Sequence, residues 1–141
     1  MSFIAACIIS FFMMSSFKAI PSASASNALT LDRAEAINIF ATTTSAQGTT
    51  FFGPVTVSGA INASGTYVMP TQQHGMALHC LFVLSLPDGT ISIRLNCNLV
   101  TSYGVWKILD GTGAYQNLKG GGSLVMPNDT DEVLTGTVRG L

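Results

Sequence analysis

Charge is what this sequence has least of. Lysine, arginine, aspartate and glutamate make up 9% of its residues, against 48% hydrophobic ones. The few basic residues form no patch, so a nucleic-acid partner is not expected. Histidine is nearly absent, with only His74 and His79. No serine sits in a nucleophile elbow, and no glycine-rich phosphate loop is present. His79 neighbours Cys80, but at a spacing that matches no zinc pattern, so neither metal nor cofactor is expected. Carboxylates are few and fall in turns. Asp129, Asp131 and Glu132 cluster with Asn128 in one of them, where a calcium-type oxygen site is weighed against a solvated turn and the solvated turn is favoured. Poor in charge and rich in apolar residues, the chain protects its surface poorly. A closed barrel, a homo-oligomer, or both would account for that.

The apolar residues divide into two regions. Phe3–Phe17 is one run, too short for a confident membrane span, and it is followed by small residues. Ala23-Ser24-Ala25 matches the cleavage pattern of a secretory signal. The expectation is a signal peptide over 1–25 and a secreted domain, extracellular or periplasmic, with no stable membrane span after cleavage. No basic residue precedes the run, so a retained anchor stays as the alternative. Cys7 lies inside this segment. Its removal leaves Arg33, Arg94, Lys107, Lys119 and Arg139 against seven acidic residues, a net charge of about −2 by formal counting.

Residues 26–40 read as an N-terminal extension, either a short helix capped by Thr30 or a loop leading into a strand. From Ala41 onward the pattern is β. Glycine, threonine, serine and valine dominate, and turn signals recur at short intervals. Thr49–Ile61 is one strand candidate, interrupted by Gly53-Pro54, where a bulge or an edge position is expected. Asn62–Gly65 reads as a turn, Thr66–Met69 as a short strand and Pro70–Gly75 as a polar loop. The strongest local signal is a hairpin of Ala77–Leu86 and Thr90–Val100 around Asp88-Gly89. With those two residues as the loop, Cys80 faces Cys97 across the ladder, within disulfide reach. A cross-strand disulfide Cys80–Cys97 is therefore expected. One face of this hairpin, Cys80, Phe82, Leu84 and Leu86 with Ile91, Ile93, Leu95 and Cys97, is wholly apolar and must be core. Short strands with no long helix between them give an all-β chain: a single-domain antiparallel β-barrel of about eight strands over residues 41–141.

The segment Trp106–Ser123, with Gly111-Thr112-Gly113-Ala114-Tyr115 at its centre and Gly120-Gly121-Gly122 near its end, resembles a segment of allene oxide cyclase-like and dirigent-like β-barrels, and of small secreted bacterial proteins similar to them. There it forms a strand, a tight glycine turn and the next strand. The resemblance implies an eight-stranded barrel, often oligomeric, with an apolar cavity for a small lipophilic molecule, used in the plant proteins to steer a reactive intermediate. It carries no catalytic group onto a position of this sequence, so no catalytic residue is named.

Four residues stand as candidates for binding. Arg94 is the one charge inside the central hairpin and would meet a ligand's anionic group at a barrel mouth. Tyr67, Trp106 and Tyr115 would line a cavity, although core packing is the commoner role of such aromatics. Two function readings follow: a barrel that binds a small apolar molecule, with a cyclase-like steering activity open, or a structural or surface-interaction domain packed solid. Pocket volume separates them, since a binding site needs about 300 Å³ or more. Asn62-Ala63-Ser64 and Asn128-Asp129-Thr130 fit the N-glycosylation pattern, which matters only in a eukaryotic secretory pathway.

Overall fold

The computed structural model describes residues 33–141. The expected signal peptide, the lipophilic run with Cys7 and residues 26–32 of the expected extension lie outside them. Ala34–Leu141 forms one compact unit.

Nine strands make up this unit: β1 Glu35–Thr42, β2 Ser45–Gln47, β3 Thr50–Gly59, β4 Ala63–His74, β5 Ala77–Leu86, β6 Gly89–Asn98, β7 Tyr103–Gly111, β8 Lys119–Val125 and β9 Asp131–Arg139. Each is antiparallel to its neighbours. The order runs β1-β9-β8-β7-β6-β5-β4-β3-β2, and β1 also pairs with β3. That last pairing closes an eight-stranded barrel, leaving β2 as a short flap on β3. Closure removes the unpaired edges an open sheet of so few charges would expose.

Alternation of side chains along each strand sets the inside. Ile37, Ile39 and Ala41 of β1, Phe82 and Leu84 of β5, Ile91, Ile93 and Leu95 of β6, and Leu124 and Leu134 of β8 and β9 are all buried. The core face read from the central hairpin is the one observed. Outside, a row of apolar residues crosses four strands, Phe40 beside Val133, Val133 beside Val125, and Val125 beside Tyr103.

Several expectations are corrected. Glu35–Phe40, assigned to the extension or helix, belong to β1, where Ile37 and Ile39 alternate with exposed residues. Pro70–His74 continue β4, and the turn there is only Gly75-Met76. The turn placed at Asn62–Gly65 sits earlier, where the Asn62 amide donates to the Gly59 carbonyl at 3.0 Å and Ala63 already starts β4. At Gly53-Pro54, by contrast, the expected edge position is what is found. β3 runs through it, paired with β2 up to Phe52 and with β1 from Val55, so the proline falls where its missing N–H is not needed.

The hairpin register also differs. Leu86 pairs with Gly89, Cys80 with Leu95, and Leu78 with Cys97. The loop is Pro87-Asp88, not Asp88-Gly89. The physical reason is the proline. An Asp88-Gly89 loop would make Pro87 and Thr90 the closing hydrogen-bonded pair, and proline has no N–H to donate there, whereas Pro87 suits the first central position of an ordinary turn. Among the described residues the only non-glycine at positive φ is Ser102. The shift is two residues, so both cysteines keep the inner face but stand diagonally. Cys80 and Cys97 are free thiols. Diagonal positions lie about 7–8 Å apart, beyond disulfide reach without backbone movement.

A candidate binding mouth

The two ends of the barrel are built differently. One is plugged. After β7 the chain makes a short 3₁₀ turn, Gly113–Tyr115. Its Tyr115 and the following Leu118 are buried, as are Ile61 and Leu86. Gly113 has φ 60°, and a Cβ there would lie 2.3 Å from the Asp88 carbonyl oxygen. Glycine is thus required to let this turn clamp the β5–β6 loop. Gly111 is needed for a different reason: its Cβ would lie 2.3 Å from the Tyr115 carbonyl oxygen.

The middle of the barrel is filled by side chains, as an interior enclosed by eight strands can be. Trp106 is buried, and its indole N–H donates to the Thr135 carbonyl at 3.1 Å. Tyr67 is buried against Phe82, with ring centres 4.8 Å apart.

The other end is open. It holds a cleft of about 400 Å³ whose walls include Phe51, Met69, Leu78, Leu99 and Met126, with Thr43, Asp129 and Glu132 among its polar residues. Glu132 is the chemical centre of this end. It occupies the start of β9, in phase with Leu134 and Val138 on the inner face, and is only 7% exposed. Its Oε2 is buried and has no hydrogen-bond partner. Burial first, then the charge of neighbouring Asp131, pushes its carboxyl up to about 7. Asp131 is held the opposite way, below the usual carboxylate range, by hydrogen bonds from Asn128 at 2.8 Å and Thr42 at 2.9 Å.

Below the carboxyl, the Tyr67 hydroxyl is 2.6 Å from Thr43 Oγ1. Burial raises its pKa, and the charges of Glu132 and Asp131 add to the rise. The Cys80 thiol is pushed up to about 12 by burial, then by Cys97 and by Glu132. Glu132, Tyr67 and Cys80 thus share one electrostatic environment from three strands. Free, buried thiols of high pKa are poor nucleophiles. Both cysteines of the barrel are expected to resist a disulfide exchange reagent in the native protein and to react at once in denaturant. Fast labelling of the native protein would contradict this placement.

Of the four candidates read from sequence, Tyr67 and Trp106 face the interior. Tyr115 belongs to the plugged end. Arg94 is exposed on the outside of β6, beside Leu81 and Lys107, so the structure does not bring it to the mouth. Glu132 was counted with the turn acids and its inward phase was missed. The signal was present, since Glu132, Leu134 and Val138 share strand parity. In the turn itself, Asn128 Oδ1 accepts from Thr130 and Asp131 backbone N–H groups at 2.9 Å each, and Asp131 is engaged as above. Among the described residues no set of three metal-ligating side chains is gathered. The sequon residues Asn62 and Asn128 are both exposed.

The barrel is closed, antiparallel and eight-stranded, and the Gly-Thr-Gly-Ala-Tyr segment runs from the end of β7 through the 3₁₀ turn that leads to β8. No family model matches the chain, nor does any curated protein sequence. Among solved structures it is similar to the pterocarpan synthase dirigent protein GePTS1, at 14% identity and a TM-score of 0.45, over 76% of this chain and 83% of that one. It is also similar to pyocyanin demethylase, at 14% identity and a TM-score of 0.44, over 72% of this chain and 98% of that one. A second dirigent protein, the pterocarpan synthase PsPTS1, matches at 14% identity and a TM-score of 0.42, over 75% of this chain and 92% of that one.

Proposed function

We propose that this barrel binds a small, largely apolar molecule in the cleft at its open mouth. The observation that carries the reading is the cleft itself: about 400 Å³, lined by Phe51, Met69, Leu78, Leu99 and Met126 on one hand and by polar residues such as Thr43, Ser102 and Glu132 on the other, above the roughly 300 Å³ a small-molecule site needs. The packed middle keeps a ligand of this cleft at the mouth, and larger clefts of about 890 and 550 Å³ lie elsewhere on the barrel, lined by Ile108, Leu118 and Val138 and by Cys80, Leu81 and Arg94. A steering activity of the kind the resemblance implies needs a polar group at the cavity, and Glu132 supplies one. The second reading, a structural domain without ligand, draws on the same packed middle. Export of the domain rests on the apolar run and Ala23-Ser24-Ala25 of the sequence, and sequencing the N-terminus of the protein from its producer tests it.

The neutral solvatochromic dye Nile red is the direct probe of the site. It is expected to bind one-to-one with a blue shift, and Met126→Trp, which fills the cleft, is expected to weaken binding about tenfold or more. The variant's melting temperature verifies that it is folded. Dye binding unaffected by Met126→Trp, or absent from the wild type, moves the assignment to the structural reading.

A further inference from the structure

The polar lining of the mouth has one sign. Asp129 and Glu132 are there, Asp131 adjoins them, and no lysine, arginine or histidine is among the described residues that line the cleft. An acceptor oxygen buried without a partner costs about 1–3 kcal/mol, more when charged. Glu132 Oε2 is such an oxygen, and it belongs to a side chain that lines the cleft. Apolar walls, an unpaired carboxylate oxygen and uncompensated negative charge together define a complementary molecule.

We propose that the mouth takes a lipophilic cation, a small molecule with an apolar body and a protonated nitrogen, with Glu132 Oε2 as its counter-ion. The inference rests on the mouth-binding reading above and names its ligand class. A turn of the carboxyl toward the cleft lets the nitrogen donate to Oε2, which satisfies the orphaned acceptor, while the apolar body lies among Phe51, Met69, Leu78 and Met126. A neutral alcohol makes the same hydrogen bond without the charge. A lipophilic carboxylate sets a second negative charge beside Glu132 and Asp131 and is disfavoured.

Glu132 is faced by Asp131 of its own strand, Tyr67 of β4, Cys80 of β5, Thr43 after β1 and Asp129 of the β8–β9 loop. Burial keeps the Tyr67 hydroxyl and the Cys80 thiol protonated at neutral pH, and hydrogen bonds keep Asp131 ionised. Glu132, displaced to about 7, is then the buried group that changes charge between about pH 5.5 and about pH 8.

The test compares phenylbutylamine, phenylbutanol and phenylbutanoate as competitors of Nile red, on the wild type and on Glu132→Gln. At about pH 8 the amine is expected to bind roughly tenfold more tightly than the alcohol, because it adds the attraction of an ion pair to the hydrogen bond that both make to the carboxylate. The carboxylate is expected to bind weakest. Glu132→Gln should bring amine and alcohol to parity. In the wild type alone, lowering the pH to about 5.5 should have the same levelling effect, so the test survives a variant that fails to fold. Parity of the three at high pH, preference for the carboxylate, or no competition by the amine overturns the cation while Nile red binding still upholds the site. Absence of all binding overturns both.

Discussion

Trp106→Ala is expected to destabilise the barrel by about 3–5 kcal/mol, the usual range for deleting a large buried aromatic. In a domain of this size that lowers the melting temperature by roughly 15–30 °C. The size of the effect follows from how the ring is housed. Across the sheet Trp106 pairs with Gly122, and Gly122 pairs with Gly136. A Cβ added at Gly136 would lie 2.8 Å from Trp106 Cζ2 and 2.2 Å from the Gly121 carbonyl oxygen. Two neighbouring strands have given up their side chains at that level, and the indole fills the space. Alanine has nothing beside it to collapse inward, so the cavity persists. The lost N–H bond to Thr135 adds about 1 kcal/mol. Trp106→Phe separates the terms and should cost less than half as much. Trp106 is also the sole tryptophan, so its blue-shifted emission reports barrel closure directly in the wild type. A loss below about 1 kcal/mol for the alanine variant, measured by urea unfolding, would mean that the ring is not what fills this level.

The second large effect is electrostatic. A carboxyl raised from 4.5 to about 7 in the folded state binds its proton more tightly there than in the unfolded chain. Its contribution is therefore neutral below about 4.5, becomes a penalty as pH rises, and is complete above about 7. The displacement corresponds to about 3 kcal/mol at most. Wild-type stability is thus expected to fall by about 2–3 kcal/mol between about pH 5 and about pH 8, with Glu132→Gln flat over the same window and more stable at its upper end. Asp131 acts in the opposite sense and in a different window. Its depressed pKa stabilises the fold above 3.8 and is lost on further acidification. Parallel pH profiles for wild type and Glu132→Gln would show that the carboxyl is not buried as described. A destabilising acid retained at a cleft is the pattern of a residue kept for binding rather than for folding.

Much of the barrel was legible because alternation survives any local mistake. Phe82 and Leu84 were placed inside correctly although the hairpin register was off, since a two-residue slip preserves the face and a one-residue slip does not. The register itself was misread because Asp88-Gly89 is a familiar turn signal, while the constraint that decides the matter is the missing N–H of Pro87. The loop reading of Pro70–His74 failed for a related reason. Gln72, Gln73 and His74 are exposed, and a polar strand end projecting beyond the core looks like a loop in sequence. Arg94 drew attention as an isolated charge in an apolar hairpin, yet isolation along the chain says nothing about face. Glu132 was overlooked for the mirror reason: it sat in a run of acids, and the run hid its parity with Leu134.

The pairing pattern also sets a timetable. All but one of the main pairings join strands close in sequence, so most of the meander can form as the chain is made. The exception is β1 with β9, which brings Thr42 opposite Asp131. Until the last strand leaves the ribosome, the first has only β3 for a partner and its other edge stays bare. The barrel therefore completes itself only once β9 is available. A nascent or truncated chain carries an open, nearly uncharged edge that invites pairing with another chain. Loss of the final nine-residue strand would thus release a sticky open sheet instead of a slightly smaller barrel.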